Sequence, residues 1–136
     1  PPPAYNGQLA YAYAKRAQVL LAERWAEVEA QGPADAKPVS FVSAHPGWTA
    51  TKAVMEAYGA QAKYLQPMRT LWQGAEGLCW LCTAPASELA PGAFYLDRKP
   101  QAKHMAGFCF TEGSFTKNSR AEVDAMLAEA ERATRG

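Results

Sequence analysis

The chain has no apolar run near the ~20 residues a membrane-spanning helix needs, no block of basic residues, and no glycine-rich phosphate turn. The first absence excludes a helical membrane span. The second bears on partners: 14 Lys+Arg against 13 Asp+Glu give a formal net charge of +1. A nucleic-acid surface requires a clustered positive footprint, so nucleic acid is not an expected partner. The third is a matter of spacing. Gly32, Gly47, Gly59 and Gly74 form no Gly-x-Gly-x-x-Gly after a strand, so these residues hold no cradle for a dinucleotide's phosphates. Cysteine is scarce too, with Cys79, Cys82 and Cys109 alone. No Cys or His cluster has zinc spacing, so no metal is expected. Cys79-Trp-Leu-Cys82 has the spacing of a redox pair but sits in an apolar helical run, where thiols are expected to be buried as small hydrophobes. With no charged-then-apolar leader, a soluble intracellular protein with reduced thiols is expected.

What remains is an ordinary globular composition, 49% hydrophobic and 20% charged over 136 residues, the size of one domain. Pro1-Pro2-Pro3 is a rigid lead-in. A helix is predicted over 8–30, with Leu9, Tyr13, Ala17, Leu20, Leu21, Trp25 and Val28 as its apolar stripe. Glu23, Arg24, Glu27 and Glu29 read as a solvated face of it. A short β-prone run over 39–44 follows a brief loop and predicts a buried parallel strand. His45 reads as a packed strand-end residue. The segment 48–66 is able to move and holds a short helix over 51–58.

Pro67 is expected to open a second long helix over 67–83, with Met68, Leu71, Trp72, Ala75, Leu78, Cys79 and Cys82 inward. Gly74 and Gly77 would admit a close neighbour. A second strand is expected over 93–97, an irregular stretch beyond Arg98, and a last helix over 119–136 opened by the capping box Ser119-x-x-Glu122. That helix would turn Val123, Met126, Leu127 and Ala130 inward. Two strands under such helices are too few for a stable sheet. The reading is α/β, with further strands supplied by a preceding half or by another chain.

One pair of residues carries chemistry. In Tyr11-Ala-Tyr-Ala-Lys15 the phenol and the ammonium stand four apart on one helix face. A nearby ammonium favours the phenolate and fits the phenol for acid/base work on an alcohol or carbonyl. Tyr13 points about 200° away and reads as core. The second element is the loop His45-Pro46-Gly47-Trp48-Thr49-Ala50-Thr51 at the carboxyl end of a strand, where open α/β sheets bind ligands. Pro-Gly makes a sharp turn that bares backbone groups, and Thr51 adds a hydroxyl. Trp48 reads either as a lid over the site or as packing. His104 lies in the irregular tail.

Tyr11-x-x-x-Lys15, a strand, and then Pro46-Gly47-x-x-x-Thr51 resemble the short-chain dehydrogenases/reductases. The match looks closest to the member 12-like subgroup, through Leu9-Ala-Tyr-Ala-Tyr-Ala-Lys-Arg16, His45-Pro-Gly-Trp48, Gln73-Gly-Ala75 and Phe94-Tyr-Leu-Asp-Arg98. The resemblance covers about Tyr5 to Thr111. It implies a Rossmann-like, doubly wound parallel sheet between helical layers, of which residues 1–118 would be the C-terminal half. It also implies NAD or NADP as cofactor and Tyr11 as the acid/base, with Lys15 on the nicotinamide ribose. Pro46, Gly47, Trp48 and Thr51 would lie around the nicotinamide amide, and 53–66 would be the substrate loop. The family dimerises through the counterparts of helices 8–30 and 67–83. Its glycine-rich turn, its Asn-Ala-Gly strand end and its serine all precede the tyrosine helix. A C-terminal fragment, inactive alone, is therefore expected. The competing expectation is a non-catalytic structural subunit built from the same fold.

Overall fold

The computed structural model describes residues 4–33, 39–104 and 118–135. Pro1-Pro2-Pro3, Cys109 and the end of the family-like stretch at Thr111 lie outside them. The first helix, α1, spans Gly7–Glu29, and Asn6 caps it by accepting the Leu9 N–H at 3.0 Å. Strand β1 is Ser43–Ala44, α2 is Lys52–Tyr58, and a 3-10 turn follows over Gly59–Leu65. Helix α3 is Leu71–Thr83, β2 is Phe94–Leu96, β3 is Lys99–Gln101 and α4 is Arg120–Arg135. No described helix is long and apolar enough to cross a membrane.

The sheet order is β1-β2-β3. β1 and β2 run parallel, with Ser43 opposite Phe94 and Ala44 opposite Tyr95. The expected strand over 39–44 thus shrinks to two residues, although its hydrogen bonds reach further. Phe41 C=O accepts from Gly92 N–H at 2.7 Å and His45 N–H donates to Tyr95 C=O at 2.9 Å. The ladder stops where Pro46 ends the extended backbone.

Just past Arg98 the chain forms a strand where an irregular stretch was expected; residues 105–117 of that stretch lie outside the described ones. Asp97 and Arg98 both take positive φ, 51° and 61°, the left-handed pair that a two-residue hairpin loop requires. β3 therefore folds back antiparallel on β2, with Pro100 opposite Tyr95 on the edge. Spending Asp97 on the turn shortens the strand expected over 93–97.

Helix α1 lies on this sheet by a face that keeps Leu20 of the expected stripe but not most of its other large residues. Leu20, Ala22 and Ala26 are buried, whereas Leu9, Tyr13, Trp25 and Val28 are exposed. Small side chains win because the backbone comes close: a Cβ on Gly92 would meet Ala26 Cβ at 3.4 Å. Glu23, Arg24, Glu27 and Glu29 are not a solvated face. Glu23 pairs with Lys103, Arg24 with Asp124 at 3.0 Å, and Glu27 with Arg120 at 2.7 Å, while Glu29 accepts the Val39 N–H at 3.0 Å. The charges dock α4 and the 103 segment. α4 begins at the expected capping box, Ser119 N–H donating to the Glu122 carboxylate at 2.7 Å. Val123, Met126 and Leu127 are half-buried there, but Ala130 is exposed.

Helix α3 starts at Leu71, not Pro67. Thr70 caps it, and Gln73 returns the bond to the Thr70 N–H in a full capping box. The residue before it, Arg69, is engaged in a bridge to Thr49. The face read as inward is outward: Trp72 is 83% exposed, and Leu71, Leu78, Cys79 and Cys82 are exposed as well. α3 rests instead on Gly74, which is buried, and on Trp80, whose ring is 6.1 Å from that of Tyr95. Tyr95 is 2% exposed and its oxygen accepts the Ala90 N–H at 2.8 Å. Of the two glycines, only Gly74 has a close neighbour; a Cβ on Gly77 would meet nothing within 4 Å.

Candidate active site

Tyr11 and Lys15 sit on the N-terminal half of α1, one turn apart. The Lys15 Nζ lies 5.7 Å from the centre of the Tyr11 ring and donates to Gln18 Oε1 at 3.3 Å. An ammonium carries three protons, so Lys15 keeps donors to spare. Tyr11 is 65% exposed, as is Tyr13, which leaves the core reading of Tyr13 incorrect.

The direction of α1 sets where that pair lies. Its C-terminal half meets the beginnings of the strands: the Trp25 and Phe41 rings are 5.6 Å apart, and Glu29 holds the Val39 N–H. The helix therefore runs antiparallel to β1 and β2. From Trp25 back to Tyr11 the helix climbs about 21 Å at 1.5 Å per residue. From Phe41 to His45 the strand advances only about 13 Å. Tyr11 consequently stands beyond the carboxyl ends of the strands, at the end of the sheet where the 45–51 loop emerges. Among the described residues no hydrogen bond or ion pair joins the Tyr11–Lys15 pair to that loop.

The loop is tightly built. Gly47 has φ +74°, which glycine takes without strain, and its N–H donates to His45 Nδ1 at 2.9 Å. His45 is exposed, so it serves the turn rather than the packed interior. Thr49, 7% exposed, donates its hydroxyl to Pro46 C=O at 3.2 Å. Trp48 C=O accepts from Arg69 N–H at 2.7 Å, and Ala50 N–H donates to Arg69 C=O at 2.9 Å. The Trp48 ring is half-exposed and meets Tyr58 of α2 edge-on, with centroids 5.6 Å apart. Thr51 caps α2, its oxygen accepting from Val54 N–H at 3.2 Å; its hydroxyl proton remains available to a ligand. His104 lies away from this group, its Nδ1 3.3 Å from Arg16 Nη2 on the flank of α1. Tyr5 is 87% exposed ahead of α1.

Reasoning from spacing missed Arg69 and Asp97. Their side chains form a two-pronged ion pair, Nη1 to Oδ1 at 2.5 Å and Nη2 to Oδ2 at 2.7 Å. The hydrogen bond from Arg69 holds the Asp97 carboxyl below the usual carboxylate range, partly opposed by desolvation and helped by the charges of Arg69 and Lys99. Arg69 also donates to Pro46 C=O at 3.3 Å. Asp97 did belong to a family-like segment, but nothing in its spacing pointed to a residue 28 positions away.

For the nicotinamide end of a dinucleotide, Lys15 has donors free for a ribose and Thr51 a hydroxyl proton. Of the 46–48 backbone, Pro46 C=O, Gly47 N–H and Trp48 C=O are bonded within the loop, which leaves Gly47 C=O and Trp48 N–H for an amide. For the pyrophosphate these residues offer no glycine-rich turn.

Over 103 residues the chain is 39% identical to the dehydrogenase/reductase SDR family member 12 of Homo sapiens, covering 74% of this chain and 30% of that protein. The protein of the same name from Bos taurus is 39% identical over 104 residues, covering 75% of this chain and 31% of that one. A Streptomyces sp. protein whose name assigns it, provisionally, a daunorubicin C-13 ketoreductase activity is 31% identical over 100 residues, covering 70% of this chain and 31% of its own. The chain thus spans about a third of the length of the curated relatives it matches. No family model matches it, and no solved structure does.

Proposed function

We propose, from the premise that the chain belongs to the short-chain dehydrogenase/reductase family, that it carries the proton-transfer and nicotinamide-binding part of an NAD(P)-dependent oxidoreductase interconverting an alcohol and a carbonyl. The observation that carries this reading is the Tyr11–Lys15 pair standing beyond the strand ends, at the same end of the sheet as the Pro46–Gly47 turn. The cofactor, when bound, supplies or takes the hydride. Tyr11 Oη gives its proton to the carbonyl oxygen in reduction and receives it back in oxidation. Lys15 holds the nicotinamide ribose and favours the phenolate when the proton has left. The 46–48 backbone and Thr51 take the amide and fix which face of the ring meets the substrate. The aromatic and apolar side chains of Trp48, Met55 and Tyr58, all partly exposed on the loop and the helix after it, favour a lipophilic carbonyl.

The rest of the domain lies outside this chain in this reading. The exposed Leu71 and Trp72 on α3 and Leu9 and Tyr13 on α1 are then surfaces to be covered, by that domain or by a second copy. In the full-length protein Tyr11→Phe removes the proton donor while keeping the ring. Turnover of a carbonyl panel with NADH and NADPH should fall by at least ~10²-fold, the usual worth of a general acid. Retained turnover with an intact fold would sink the assignment. Absence of turnover in the wild type with every substrate and both cofactors would favour the non-catalytic subunit instead.

A further inference from the structure

Glycine at position 47 is required twice over. Its φ of +74° lies in the left-handed region, and a Cβ there would fall 2.5 Å from Arg69 Nε and 2.6 Å from Arg69 Cζ. The guanidinium thus occupies the space a side chain would need at the turn, and donates to Pro46 C=O at 3.3 Å. It reaches that position from a backbone already tied to the loop on both sides, through Trp48 C=O and Ala50 N–H. Its outer nitrogens are then held by Asp97, whose own place is set by the left-handed hairpin loop between β2 and β3. One planar fork thus joins three elements that are separate in sequence: the 45–51 turn, the lead into α3, and the β2–β3 hairpin.

We propose that Arg69 and Asp97 are positioning residues that clamp the Pro46–Gly47–Trp48 turn and set the shape in which its backbone meets the nicotinamide amide. The second half of that statement rests on the reading under Proposed function; the clamp itself does not. Arginine is needed because lysine, a point charge, cannot bond both carboxylate oxygens and a carbonyl from one plane. The carboxylate's place on a hairpin loop makes the clamp depend on the sheet. A change in the β2–β3 turn would therefore be felt at the nicotinamide end.

The test uses the full-length protein as wild type, Asp97→Asn and Arg69→Lys. Glu129→Gln is the control, since Glu129 pairs with Arg132 within α4 and with neither the turn nor the hairpin loop. Amide hydrogen exchange reads the clamp directly. In Asp97→Asn and Arg69→Lys the Arg69 and Ala50 amides should exchange at least about tenfold faster, while those of α4 stay within about twofold, as local opening requires. Glu129→Gln should leave the Arg69 and Ala50 amides unchanged. Steady-state kinetics read the consequence. KM for NAD(P)H should rise about tenfold, with kcat at saturating cofactor within about threefold and its pH profile unmoved, the signature of lost positioning rather than lost chemistry. Unchanged Arg69 and Ala50 exchange in a folded Asp97→Asn protein would overturn the clamp. So would acceleration spread equally through α4. Faster exchange with an unchanged KM would leave the clamp standing and remove the nicotinamide from the turn, which overturns the cofactor reading instead.

Discussion

Replacing Gly74 and Gly77 by alanine, one at a time, sets two opposing effects against each other on the same helix. Alanine is better than glycine inside a helix by about 1 kcal/mol. At Gly77 the new methyl meets nothing within 4 Å, so Gly77→Ala should realise most of that gain. At Gly74 the same methyl would lie 2.4 Å from Thr49 Oγ1 and 2.8 Å from its Cγ2. Thr49 is buried and its hydroxyl is spent on Pro46 C=O, so it cannot retreat without breaking that bond. Overpacking costs about 1–3 kcal/mol, and a lost hydrogen bond about 1 kcal/mol more. Set against the propensity gain, Gly74→Ala should be destabilised by about 1–3 kcal/mol. With a urea slope of about 1.5 kcal/mol per molar, the two variants' midpoints should differ by more than about 1 M. Urea unfolding followed by tryptophan emission measures this, provided the slopes agree. Midpoints within about 0.3 M of each other would refute the claim that α3 seats through Gly74. A Gly77→Ala midpoint below wild type would place a further element over Gly77.

The capping box of α4 should be separable from its docking. Ser119→Ala should cost about 1 kcal/mol, seen as faster exchange in the first turn of α4 while the β2 amides hold. Acid should act at the same place. The Ser119 backbone N–H, aided by its hydroxyl, holds the Glu122 carboxyl below its ordinary value. That contribution is complete above the unfolded-state value of about 4 and is lost as pH falls through the lower folded one. Helical circular dichroism should therefore decline as pH falls below about 4 in the wild type and less steeply in Glu122→Gln, which has no carboxyl to titrate; equal slopes would refute it. Trp72, 83% exposed, tests the covered-surface reading: Trp72→Ser should shift the full-length protein to a smaller species by light scattering, and an unchanged mass would remove α3 from the interface.

How far the residues alone revealed this molecule depended on the distance over which each feature is decided. The Tyr11–Lys15 contact and the Ser119–Glu122 box are settled within one helical turn, so spacing was enough. The buried face of α1 is settled by how closely a sheet approaches. Of the expected stripe Leu20 is buried, but Leu9, Tyr13, Trp25 and Val28 are not, because close approach selects Ala22 and Ala26 beside it. The start of α3 turned on competition between a proline and a capping threonine, which local propensity does not rank. Arg69 and Asp97 meet only once β2 turns back through two left-handed residues, and neither Asp nor Arg announces such a turn as Asn-Gly would. The ion pairs of Glu23, Arg24 and Glu27 needed α4, whose route back to α1 no spacing describes.

The hairpin that ends the sheet gives the domain a one-way architecture. β3 runs antiparallel to its neighbour and carries Pro100, which has no N–H to offer a further strand. β1 has its bonded groups, Ser43 N–H and His45 N–H, turned towards β2, and in a strand the alternate groups face the other way. Addition is closed at one edge and open at the other. Whatever strands complete this sheet would then join beside β1, the strand that leads into the Pro46–Gly47 turn.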